Sequence, residues 1–288
     1  PSELAPYIKR FENNFSVFSL NIQCLNAKFN KLTMLLDKLN ESNIQFSAIC
    51  IQETWCTENQ MILDMLSLKD YQTISLKATC SSHGGLIIFL HNDFKYQIRD
   101  VYTPSKEWEG LFIDIFHKDF TSKITLCNIY RPPRDRNKDI DSFLTLFTPI
   151  VEMLSKEKSN KIIVGDFNIN LLTLRNRAKF LEYFEMYSTH GFHPNITLPT
   201  RFSKRNATLI DHMFSKFTNS NVKTASGIIF TQISDHLPYF SCIQFKNKLN
   251  QRPRHIKIQT KDKHSIANFC NDINNTDFMS FLLYVRLL

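Results

Sequence analysis

At 288 residues, 43% hydrophobic and 22% charged, the chain suits one large α/β domain with an appendage, or two small domains. Its longest apolar stretch, residues 278–288, is short and broken by Arg286, which excludes a membrane span, and no secretion signal is visible. The net charge of +8 suits a polyanionic partner; residues 246–288 carry +5 of it, leaving +3 for residues 1–245.

Taken in chain order, apolar and β-branched runs predict strands at 16–20 and 46–52, with a helix between them on Phe29, Leu32, Leu35, Leu36 and Leu39. Thr57 and Gln60 form a capping-box pattern ahead of Met61, Ile62 and Met65, so a second helix is expected from Thr57. Strands follow at 85–90, 111–116 and 123–130, then a helix over 140–154 that Pro149 must kink or split. A strand at 161–164 leads to a helix over 177–187, stopped near Gly191, and to strands at 208–214, 223–229 and 238–245. So many strands with few helices fit two packed sheets with helices outside them better than a doubly wound sheet. The polar, basic stretch 246–263 ends the domain, and Ile266, Phe269 and Ile273 suggest a short amphipathic helix beyond it.

The 25 Phe residues are spread along the chain and read as core filling. The seven Cys contain no Cys-x-x-Cys and lie mostly in apolar runs. That pattern points to buried thiols in a reducing, intracellular compartment and away from a zinc site.

The residues that carry chemistry share one position, the end of an apolar run. Asn21, Glu53, Tyr130, Asp166-Phe167-Asn168 and Asp211 each close such a run, and Ile233-Ser234 precedes Asp235-His236. Strand ends on one rim bring side chains from distant sequence onto a rigid base. An oxygen-rich set of this kind suits a hard cation such as Mg²⁺. It also supplies what phosphodiester hydrolysis needs: Asp166 to activate water, a metal and His236 to neutralise the phosphate, and the metal or Tyr130 to assist the leaving oxygen. Asp235, next to His236, is expected to hold the imidazole in its protonated form. Taken singly, Glu53 also reads as a helix-entry charge and Asp166-Phe167-Asn168 as a turn. Ser234-Asp235-His236 also reads as a capped loop, Tyr130 as core and Asn21 as a strand end. Their joint occurrence in this order favours the chemical reading.

The order Asn21, Gln52-Glu53, Asn128-Ile129-Tyr130, Gly165-Asp166-Phe167-Asn168, Ile210-Asp211-His212, Ser234-Asp235-His236 resembles the endonuclease/exonuclease/phosphatase superfamily. The resemblance implies a four-layered α/β sandwich of the DNase-I-like type, two packed mixed β-sheets flanked by helices, over residues 15–245. It implies a Mg²⁺ site at Glu53 and Asp235, with Mn²⁺ able to substitute and no small-molecule cofactor. Asp166 and Asn168 would handle the attacking water, Asp211 would support them, and Asn21 and His236 would contact phosphate.

Three further stretches are similar to the endonuclease domain of non-LTR retrotransposon polyproteins: Tyr130-Arg131-Pro132-Pro133, Gly84-Gly85-Leu86-Ile87-Ile88 and Thr200-Arg201-Phe202. This narrower likeness implies a duplex DNA target, with Asn21, Tyr130, Arg131, Thr200 and His236 as DNA contacts, and action in the nucleus. Residues 1–14 would then be a leader, and 246–288 a basic linker towards a reverse transcriptase domain of the same polyprotein. Gln23 stands where apurinic repair enzymes place an acidic residue, which weakens a repair reading. The competing expectations are another phosphodiesterase on this scaffold, or a catalytically dead copy that only binds nucleic acid.

Overall fold

A computed structural model of the chain describes residues 14–57, 66–78, 82–100, 107–133, 138–203, 206–218 and 222–245. Two mixed sheets of six strands each lie face to face. Sheet one holds β1 (Phe15–Asn21), β2 (Ala48–Gln52), β3 (Tyr71–Leu76), β4 (Leu86–His91), β13 (Lys223–Ile228) and β14 (Tyr239–Gln244), in the order β13-β14-β1-β2-β4-β3. Sheet two holds β5 (Lys95–Ile98), β6 (Glu109–Phe116), β7 (Ile124–Tyr130), β8 (Asn160–Asp166), β9 (His193–Pro194) and β12 (Asp211–Lys216), in the order β5-β6-β7-β8-β12-β9. A two-stranded ribbon, β10 (Arg201–Phe202) with β11 (Ala207–Thr208), stands apart from both.

Side chains alternate across each strand, so one face of β1, β2 and β4 (Phe15, Val17, Ala48, Cys50, Leu86, Ile88, Leu90) packs into a core shared with sheet two. The other face (Phe18, Leu20, Ile49, Ile51, Phe89) is covered by α1 (Leu25–Asn40) through Leu25, Leu32 and Leu39. Sheet two is covered by α2 (Lys138–Lys156), through Phe143, Phe147, Val151 and Leu154, and by α3 (Ala178–Thr189), through Phe180, Tyr183 and Tyr187. The result is the expected helix–sheet–sheet–helix sandwich.

Four details differ from the sequence reading. β3, β5 and the two-residue strands β9 and β10 are not among the expected strands. The predicted strand 208–214 divides into β11 and β12 around Leu209-Ile210. α1 begins at Leu25, ahead of the Phe29 spacing that signalled it, and α2 runs as one helix through Pro149 rather than splitting. The helix expected from Thr57 falls on residues 58–65, outside the described residues. The chain divides into two compact units, Pro1–Lys246 and Asn247–Leu288, and the second, with its expected short helix, also lies outside them.

Candidate active site

The register of the central strands decides where the chemistry collects. Parallel pairing of β1 with β2 sets Asn21 beside Gln52, so Glu53 follows one step past the strand. In sheet two, β7 and β12 flank β8 so that Tyr130 and Asp211 are the register partners of Asp166. Asn21 joins the two sheets: its Nδ2 donates to Glu53 Oε1 (2.7 Å) and to Asp166 Oδ2 (2.8 Å). Beneath it, Gln52 Nε2 donates to Asn128 Oδ1 (2.6 Å), and Asn128 Nδ2 donates to the Ile51 and Ile87 carbonyls of sheet one.

Gly165 makes the approach of Asp166 possible. A Cβ there would lie 1.8 Å from the Ile129 carbonyl oxygen, and its φ of +150° disfavours other residues. Beyond Asp166 the chain turns through Asn168 at φ 51°, and the Asn168 N–H donates to Asp166 Oδ1 (2.9 Å). Asn168 Nδ2 donates to the Arg131 carbonyl (2.8 Å) and approaches Asp166 Oδ2 at 3.3 Å.

Asp211 and His236 form the second half. His236 Nδ1 lies 2.9 Å from both Asp211 oxygens, and Thr200 Oγ1 donates to Asp211 Oδ2 (2.6 Å). Ser234 Oγ donates to the Asn21 carbonyl (2.8 Å) and accepts the His236 N–H (2.9 Å), tying this loop to the end of β1.

Sequence adjacency had assigned the imidazole to Asp235; the structure gives it to Asp211. The turn closed by Ser234 sends the Asp235 carboxylate outward, 40% exposed, where it pairs with Arg201 and stays 3.9 Å from His236 Nε2. With Nδ1 facing Asp211, Nε2 is the nitrogen left for a ligand.

The electrostatics separate the two buried groups. Burial, and then the Asp211 charge, push Asp166 up to about 7, against the opposing pull of His236 and Asn21. Burial alone would lower His236, but Asp211 overrides it and raises the imidazole to about 9. Tyr130 is buried, and burial together with Glu53 and Asp166 holds its hydroxyl protonated, as a donor. His212 lies apart from this chemistry. It is stacked on Phe167 at 5.2 Å, bonded to Tyr183 Oη (2.9 Å), and pushed down to about 4 by burial.

All five expected DNA contacts are buried or nearly so (Asn21 0%, Tyr130 1% and His236 2% exposed among them), and in two the polar end of the side chain is committed to a partner inside the protein. Thr200 is 0% exposed, with its hydroxyl on Asp211. Arg131 is 4% exposed, with its guanidinium over the Phe143 ring and Nη1 donating to the Phe167 carbonyl. Both position the site from within.

Sequence reasoning missed three supports. Trp55 Nε1 donates to Glu53 Oε2 (3.2 Å). Gly84 and Gly85 accept the N–H groups of Trp55 and Thr54, and Glu109 accepts the Gly85 N–H (2.7 Å). Tyr239 Oη donates to the Gly165 and His212 carbonyls, both at 3.2 Å. The glycine pair was noticed as a pattern without a role; Tyr239 looks in sequence like any core aromatic. A cavity of about 790 Å³ at the opposite ends of the strands, lined by His91, Phe94, His117 and Phe120 among others, includes none of these residues.

Residues 18–236 match the model of the Endonuclease/Exonuclease/phosphatase family. No curated protein matches the sequence. Among solved structures, the chain is similar to an AP endonuclease from Leishmania major (TM-score 0.63, 13% identity, covering 79% of this chain and 86% of that one). It is also similar to the endonuclease domain of TRAS1, a telomere-specific non-LTR retrotransposon (TM-score 0.57, 16% identity, 79% and 97% covered). A third similar structure is the 3' phosphatase NExo from Neisseria, bound to a product DNA hairpin (TM-score 0.59, 13% identity, 80% and 100% covered). At these identities the likeness is one of fold.

Proposed function

The chain belongs to the Endonuclease/Exonuclease/phosphatase family, and from that premise we propose that it is a divalent-metal-dependent endonuclease that nicks duplex DNA, of the kind carried by non-LTR retrotransposons. The observation that carries this reading is the Asn21 amide, which joins Glu53 of one sheet to Asp166 of the other beside the Asp211–His236 pair.

Nucleases of this family generally use divalent metals. The residues fit one: Glu53 supplies a carboxylate, and Asn21 Oδ1 is a buried acceptor with no hydrogen-bond partner. An all-oxygen set suits Mg²⁺, with Mn²⁺ as a substitute. The tighter group of Asp166, Asp211 and His236, whose ligand atoms lie within 4.8 Å of one another, suits protons better. Its imidazole Nδ1 already lies 2.9 Å from both Asp211 oxygens, so these groups are engaged with one another. Asp235, the other expected ligand, is engaged with Arg201. When bound, the cation neutralises charge on the phosphate and stabilises the leaving oxygen.

The protein's own groups do the rest. Asp166, oriented by the Asn168 N–H and the Asn21 amide, accepts a proton from the attacking water once ionised. His236 Nε2–H donates to a phosphate oxygen, and Asp211 keeps that imidazole charged. The Tyr130 hydroxyl adds a neutral donor beside Glu53.

We take O3' as the leaving oxygen, so that cleavage leaves a 3'-OH. We take that end to be the primer for a reverse transcriptase domain of the same polyprotein, reached in the nucleus through the basic stretch 246–288. The three stretches that resemble retrotransposon endonucleases support this assignment. Its test is nicking of supercoiled plasmid in Mg²⁺ or EDTA, with end mapping. Mg²⁺-dependent nicks bearing 3'-OH ends are expected. Cutting confined to abasic sites, or DNA binding without cutting, would overturn it.

A further inference from the structure

Arg201 opens β10, and its backbone forms an isolated bridge to His236. On its N-terminal side the Thr200 carbonyl accepts the Leu237 N–H at 2.6 Å. The guanidinium therefore leaves the chain beside the imidazole, from a root fixed against the same loop.

Its guanidinium pairs with Asp235: Nε at 2.8 Å and Nη2 at 2.6 Å, both on Oδ2, with both side chains 40% exposed. A guanidinium has five N–H donors, so this pairing leaves most of them for another acceptor. An ion pair this exposed is weak and exchangeable. Among the described residues, two other cations near the site are placed differently. Lys28 Nζ is tied to the Ile22 carbonyl at 2.8 Å, and Arg131 lies inside the protein. Arg201, Asp235 and His236 Nε2 thus form a row at the rim, with a forked cation at its outer end. That fork matches the oxygens of a phosphodiester.

We propose that Arg201 grips a backbone phosphate next to the one being cut, and that Asp235 holds its guanidinium ready until that phosphate replaces the carboxylate. The inference rests on the nuclease reading of the site and adds a DNA contact to it. The exchange also releases Asp235 at the moment substrate arrives.

The test is duplex binding by the full-length protein, read by fluorescence anisotropy of a labelled oligonucleotide in EDTA across a KCl series. Arg201→Gln should bind about tenfold more weakly, the scale of one charged hydrogen-bonded contact. Its slope of log affinity against log salt should be shallower by about 0.9. Arg201→Lys should keep the wild-type slope and lose part of the affinity, since the charge remains without the fork. Asp235→Asn should tighten binding, and tighten it less when Arg201→Gln is also present. Equal slopes for wild type and Arg201→Gln would overturn the inference, whatever happens to melting temperature or nicking. Wild-type protein that neither binds nor nicks duplex would overturn the nuclease reading and this contact with it.

Discussion

Replacing Asp211 with Asn should move the alkaline edge of activity down by about two and a half pH units. In the native site His236 stands at about 9 against a reference of 6.5. That difference corresponds to a preference of about 3 kcal/mol for the charged ring. Burial pulls the other way, and Asp211 is the foremost of the groups that overcome it, ahead of Asp166 and Asp235. Asn is isosteric and can still meet the Thr200 hydroxyl, so the substitution removes charge with little change of shape. At pH 8 an imidazole with a pKa of about 9 is about 90% protonated, and one of about 6.5 only about 3%. If the charged ring contacts the phosphate, kcat/KM at that pH should fall about 30-fold from this cause alone. The fall should shrink towards pH 6, where both rings are charged. Asp166 should move as well, downward, because Asp211 is one of the groups that raise it. The assay is kcat/KM for duplex nicking from pH 5 to 10 at saturating metal, paired with NMR titration of the His236 ring. An alkaline edge still near pH 9 in Asp211→Asn would refute the argument, since Asp211 leads the groups that raise the ring, ahead of Asp166 and Asp235.

Asp235→Asn is the matching control: with Nδ1 on Asp211, the edge should shift by less than about half a unit, and a full-unit shift would return the orienting role to Asp235. Glu53→Ala and Asp166→Asn should each lower metal-dependent nicking by about 10³-fold or more, and activity within about tenfold of wild type would contradict their roles. Gly165→Ala should destabilise the domain by more than about 3 kcal/mol in urea melts, because the new Cβ meets backbone rather than a movable side chain; a native-like melt would mean that β7 and β8 can part there. Truncation after Phe245 removes seven Lys/Arg between 246 and 263. It should flatten the salt dependence of DNA binding by one or two units, about 0.9 per phosphate contact, with catalysis at saturating DNA unchanged; equal slopes would make the segment a connector only.

What the sequence made legible was whatever burial pattern or residue chemistry marks locally. The central strands of both sheets read as apolar runs because both of their faces are covered. The missed strands β3, β5 and β9 are edge strands: only Ile74 of Tyr71–Leu76 is buried, and no residue of Lys95–Ile98 or His193–Pro194 is. Edge positions tolerate polar residues on their free side, so no apolar run announces them. The start of α1 was hidden for a related reason. Its cap is Cys24, in a left-handed conformation and without a capping side-chain bond, so the usual Ser/Thr/Asp signal is absent. In the site, Glu53, Asp166 and Asn168 were legible because each closes a strand. The Asp211–His236 pairing was not, because it depends on how one loop folds back from β14 onto β12. Here the Ser234 turn leaves Asp235 3.9 Å from His236 Nε2, while Asp211 meets Nδ1 at 2.9 Å.

The backbone of the rim explains why such a site stays ordered. Seven described non-glycine residues have positive φ, and five of them (Gln23, Cys24, Glu53, Trp55 and Asn168) follow the ends of β1, β2 and β8. A left-handed non-glycine residue costs about 1–2 kcal/mol, so these conformations persist only where neighbouring bonds over-determine them. Such bonds are present. Ile22 N donates to the Gln52 carbonyl, Cys24 N to Glu53 and Leu25 N to Thr54, which laces the end of β1 to the Glu53 segment. From the other side, Thr54 N and Trp55 N donate to Gly85 and Gly84, and Glu109 anchors that glycine turn to sheet two. Glu53 is thus held between two backbone ladders and two side-chain donors, Asn21 and Trp55. Its carboxylate is aimed before any ligand arrives. The strain collects where the strands stop and the cores beneath are closed, so the folded state can carry it: burial within the sandwich offsets what the rim conformations oppose.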